Sequence, residues 1–83
     1  MDVQQRIDEI QAGWAAIAAA QEAVAASEEA HRVLRERYAA GVATSTEVLD
    51  AGVALLEAEL ERTRLQASLR VSEARLRRAV GVN

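Results

Sequence analysis

At about 100° per residue, the segment after residue 45 carries two apolar stripes instead of one. Leu49, Val53, Leu56, Leu60, Ala67, Val71 and Ala74 fall on one face, and Ala51, Ala54, Ala58, Leu65, Leu69, Leu76 and Val80 on the opposite face. Charged edges separate them: Asp50, Glu57, Glu61, Arg64 and Arg75 on one side, Glu59, Arg70, Glu73 and Arg77 on the other. The segment before residue 40 repeats the scheme in its N-terminal half. There Val3, Ile7, Ile10, Trp14 and Ile17 oppose Ala12, Ala16, Ala19, Ala23, Ala30 and Leu34. A helix in a simple hairpin needs one apolar stripe for its partner. Two opposed stripes ask for a neighbour on each side. That suits a palisade of helices forming a curved wall, its charged edges turned inward and outward. A four-helix bundle of two hairpins, the second stripe merely reflecting abundant Ala, is the other arrangement the period allows.

The segment ends are marked by residues with specific backbone uses. Asp2 is a good N-cap, and Gln5 three residues on permits a capping box. Gly41 is a natural C′ residue, because glycine enters the left-handed conformation cheaply. Thr44-Ser45-Thr46-Glu47 reads as a second capping box, with Ala43 and Val48 at the spacing of a weak hydrophobic staple. Gly81 closes the second segment. The expectation is all-α: one long antiparallel, coiled-coil-like two-helix hairpin spanning 1–83, with helix 2–40, turn 41–44 and helix 45–80. At ~1.5 Å per residue each arm is roughly 55 Å long.

Composition sharpens this picture. The chain has 83 residues, 51% of them apolar, but one Trp, one Tyr and no Phe, so large side chains are scarce among many alanines. A self-sufficient core is not expected; burial would finish against other chains. A net charge of −3 excludes the basic footprint that nucleic acid requires. Every cation is arginine, and the arginines read as scattered. No cysteine is present for disulfides or thiolate metal sites. No apolar run approaches the ~18–20 residues of a membrane span, and no signal peptide is read at the start.

Candidate chemistry is sparse. Glu28-Glu29-Ala30-His31 has the E-x-x-H spacing of di-metal carboxylate helices. Such a site needs further inward acids, for example Glu57 or Glu61 from second helices, and those lie on charged edges. A partly exposed structural His31 is the simpler expectation. One histidine and no cysteine leave almost no nucleophile–base pair, and the dispersed Gly13, Gly41, Gly52 and Gly81 make no phosphate loop. No enzyme activity, cofactor or metal is expected. Trp14 continues the apolar stripe and reads as core.

The turn and the helix after it resemble the TolC-type outer membrane efflux proteins. The pattern is Tyr38, two small residues, Gly41, Val42, a short polar turn, then Glu47-Val48-Leu49-Asp50-Ala51, closing with Leu76, Ala79 and Gly81. Upstream, Glu9-Ile10-Gln11-Ala12-Gly13-Trp14 is similar to the family's start of an inner helix, so the resemblance covers nearly the whole chain. It implies a trimeric duct with a β-barrel in the outer membrane and an α-helical barrel in the periplasm, this chain being one hairpin, of the second of two repeats, excised from that barrel. It places Ala40-Gly41-Val42 at the tip that docks a periplasmic adaptor protein, and Tyr38, Glu47 and Asp50 near the pore aperture, where acids could favour cations. Ala43 stands where some relatives carry a basic gate residue. Partners implied are further copies of the chain, the adaptor and, indirectly, an inner-membrane pump, with membrane contact only through parts beyond this hairpin. The implied location is the periplasmic portion of an outer membrane protein. Rival readings are an adaptor-protein hairpin, with one dominant seam and an Arg-Leu-Ser-like tip, or a generic helical-bundle oligomerisation module.

Overall fold

The structure, a computed structural model, describes residues 2–81. Helix α1 runs Val3–Ala39 and helix α2 runs Ser45–Ala79, packed antiparallel into a rod 61 × 16 × 16 Å. No strand occurs among the described residues, so the fold is the expected all-α hairpin.

Both helix starts are closed by their own side chains. The Gln5 amide donates to Asp2 Oδ1 at 2.8 Å and the Asp2 amide to Gln5 Oε1 at 3.1 Å. At α2 the Glu47 amide donates to Thr44 Oγ1 at 3.1 Å, and the Thr44 amide to Glu47 Oε1 at 3.2 Å. Each box satisfies two amides that would otherwise lack helical partners. These ends are written in the sequence, and the backbone follows it.

Three contacts fix how the arms align. The Ser72 hydroxyl donates to Glu9 Oε1 at 2.6 Å. Leu69 fills the space above Gly13, where a Cβ would stand 3.1 Å from Leu69 Cδ1. His31 lies over Gly52, where a Cβ would stand 3.5 Å from its Nε2. The members of each pair stand nearly equidistant from the turn, as an antiparallel hairpin without slippage demands. Mid-helix glycine is costly by about 1 kcal/mol relative to Ala. Here it accommodates a large residue of the facing helix, once from each arm.

The seam is narrow. Ile17, Ala20 and Val24 of α1 and Leu69 and Ser72 of α2 are its buried residues, and no large side chain is wholly enclosed. At about 1.5–3 kcal/mol per buried large apolar side chain, three such residues give only modest support to so long a rod. Trp14 departs from its expected place in the core and is 58% exposed. It projects roughly 100° around α1 from the buried line, and a hairpin offers only one partner helix. The alanines Ala12, Ala19, Ala23 and Ala30 are exposed as well. Leu34, grouped with them by period, is half-buried at the margin of the seam.

Candidate functional site

The turn is a complete Schellman motif. Ala40 caps α1 at φ −84°, and Gly41 enters the left-handed region at φ 78°. The Val42 amide donates to Arg37 O at 2.8 Å and the Gly41 amide to Tyr38 O at 3.0 Å, the paired bonds that end a helix on a left-handed residue. No heavy atom lies within 4 Å of the Cβ position at Gly41. Its glycine is therefore dictated by backbone conformation and not by crowding, and the tip leaves the backbone open to a visitor.

The reversal gathers the sequence-derived candidates at one end of the rod. Ala40, Gly41 and Val42 form its exposed apex, and Val42 presents 72% of its surface. Tyr38 projects from the last turn of α1, half exposed. Glu47 is held by its cap, its Oε1 also accepting from the Thr44 hydroxyl at 3.1 Å. Asp50 lies exposed one turn further along α2. Ala43 and Val48 are both half-buried beneath this apex.

Along the arms, the α2 stripe away from α1 is uncovered. Leu49, Val53, Leu56 and Leu60 are 55–67% exposed, and Val71 is half exposed further down. The opposite side, through Ala51, Leu55, Ala58, Leu65, Leu69 and Leu76, is half-buried or buried against α1. Scattered surface leucines are ordinary; a continuous line of them along one helix marks a contact surface.

The charged edges are largely exposed, and the ion pairs among the described residues are local to one helix. Arg32 bridges Glu29 and Glu36 along α1, and Arg64 pairs with Glu61 along α2. Hydrogen bonds from Arg32 and Arg64 hold the Glu29 and Glu61 carboxyls below the ordinary carboxylate value, and the same bonds raise the two guanidinium groups. Such exposed pairs steady a helix face without building a site. His31 stacks at the seam beside Gly52, and among the described residues no three His, Cys, Asp or Glu side chains converge.

Sequence reading missed the Glu9–Ser72 bond and the two glycine contacts, because each pairs residues from different arms. An isolated glycine inside a helical run was the available signal for close approach. It missed too that the arginines of α2 are not scattered: Arg62, Arg64, Arg70, Arg75, Arg77 and Arg78 all lie in its second half.

No helix among the described residues is long and apolar enough to cross a membrane. Comparison with individual curated proteins and with solved structures gives no significant match. The family model described as outer membrane efflux protein matches residues 1–82. With the Gly41 reversal, the Glu47 cap and both arms inside that match, this hairpin belongs to the outer membrane efflux protein family.

Proposed function

We propose that the hairpin forms part of the periplasmic wall of a trimeric efflux duct, with its tip docking a periplasmic adaptor. The observation that carries this reading is the uncovered α2 stripe opposite the hairpin seam. A helix greasy on both sides is satisfied when neighbours flank it left and right. Closed into a ring, such hairpins leave only the charged edges facing lumen and periplasm. The duct works passively, as a conduit without bond-making chemistry, and an inner-membrane pump supplies the energy.

The tip suits docking because the Gly41 backbone is bare and Val42 offers an apolar knob beside it. Tyr38, Glu47 and Asp50 lie just inside this apex, where three-fold repetition would bring them around one aperture. Glu47 is tied to its own helix start, which leaves Asp50 the freer carboxylate to meet a passing cation.

The test uses the assembled duct that carries this hairpin. Gly41→Trp is expected to abolish efflux in cells while trimer assembly in the membrane is retained; undiminished efflux overturns the docking assignment. Solvent-accessibility labelling of cysteines placed at Val53, Leu56 and Leu60 should show protection in the duct. Full labelling there would remove the wall assignment.

A further inference from the structure

The α2 surface has a polarity that a wall position does not require. Its first half carries Glu47, Asp50, Glu57, Glu59 and Glu61 and no cation. Its second half carries six arginines and one acid, Glu73. Complementing the helix dipole accounts only for charges in the first and last turns. Glu57, Glu59, Glu61, Arg62 and Arg64 stand in the middle of the helix, where that effect has faded. Side-chain size along the uncovered stripe is graded in the same way. The large residues Leu49, Val53, Leu56 and Leu60 precede the midpoint, and Thr63, Ala67 and the half-buried Ala74 come after it, with Val71 among them.

We infer that the free chain pairs with a second copy of itself through this stripe, the two α2 helices antiparallel about a two-fold axis near residues Glu61 and Arg62. In that register Leu49 meets Ala74 of the second copy, Leu56 meets Ala67, Leu60 meets Thr63 and Val53 meets Val71. Each bulky side chain has a small or β-branched one opposite, the large-against-small pattern that lets facing layers interdigitate. Asp50 and Glu61 of one copy flank Arg75 and Arg64 of the other. A parallel pairing would set acid against acid, arginine against arginine and leucine against leucine. Helix α1 is a poorer partner, since its acids and arginines are mixed along its length and its exposed faces are largely alanine. The seam runs from Leu49 to Ala74, about 38 Å at 1.5 Å per residue.

The pairing sends the two tips in opposite directions, whereas a duct wall aligns them. It therefore uses the wall stripe in a different assembly, and the two exclude each other in one molecule. The dimer is the form of the hairpin outside a duct, covering a surface that would otherwise invite unspecific association.

The absence of native cysteine makes the test clean. Sedimentation of the chain over a concentration series is expected to show a monomer–dimer equilibrium, with affinity falling as salt rises. Leu56→Asp should weaken it by ~100-fold or more, since a charge would be buried in the seam. Under mild oxidation, a mixture of Leu49→Cys and Ala74→Cys chains should cross-link to each other, and Leu49→Cys alone should not. Asp50→Arg with Glu61→Arg should weaken self-pairing by ~10-fold and be rescued by mixing with Arg64→Glu plus Arg75→Glu. A chain that stays monomeric, Leu49→Cys linking readily to itself, or a three-fold assembly would each overturn the inference. None of these readouts depends on efflux, so the duct reading stands or falls separately.

Discussion

The two long faces of α2 are built from similar residues and lead different lives. Leu69 on one face is 6% exposed, locked over Gly13; Leu56 on the other is 56% exposed. Local sequence does not explain the difference, since both leucines sit in helical surroundings of Ala, Glu and Arg. What separates them is which side α1 folds back onto, and that is set by the turn and by two glycines. A repeated hydrophobic period thus states how many neighbours a helix needs, and only the reversal states which neighbour comes from its own chain.

The sharpest way to break this contrast is to truncate one leucine on each face. Leu69→Ala should destabilise the hairpin by about 2–4 kcal/mol, read as a lowered midpoint in urea-melted circular dichroism. Leu56→Ala, measured at concentrations too low for pairing, should stay within about 0.5 kcal/mol of the parent chain. Equal losses at the two sites would mean the stripe is not free.

The reversal itself comes next. Gly41→Ala places a side chain at φ 78° with nothing nearby to strike. The cost is therefore purely conformational, about 1–2 kcal/mol, and should appear in thermal melts with helix content unchanged.

The glycines of the seam give a smaller, two-signed test. At Gly52 a methyl meets His31 at ordinary contact distance, 3.5 Å. Gly52→Ala should therefore stabilise, by up to about 1 kcal/mol from helix propensity. At Gly13 the methyl would stand 3.1 Å from a buried leucine that cannot easily retreat. Gly13→Ala should forfeit that gain and leave stability near that of the parent chain. A clear stabilisation there would mean that the arms can part to admit a methyl group.

The smallest effect is acidification. Glu29 and Glu61 have carboxyl values lowered by Arg32 and Arg64. Such groups bind protons more readily in the unfolded chain, so their contribution is intact above the ordinary carboxylate value and fades as pH falls through the lowered ones. Helicity titrated downward from pH 5 should dip slightly, and Arg64→Gln should remove its α2 share. Both pairs are exposed, so the change should be slight and salt-sensitive.

Much of where the helices begin and end was legible in the sequence. A capping box, a left-handed glycine and a second capping box are local devices, each closed within six residues, so Asp2, Gly41, Thr44 and Glu47 announce their roles in order. The exposure of Trp14 was not legible, because its stripe could be assigned to either neighbour. The Glu9–Ser72 bond was hidden too, since its members lie 63 positions apart and a serine between Val71 and Glu73 gives no sign of burial.

The sequence by itself determined two long helices, where they stop, how sharply the chain reverses, and that each helix is apolar on more than one side. It did so because caps, turns and periodicity are short-range consequences of side-chain chemistry. Only the tertiary structure decided which α2 stripe became the seam and which stayed bare. That choice depends on the direction in which Gly41 sends the chain, and on the clearance that Gly13 and Gly52 leave for the facing arm.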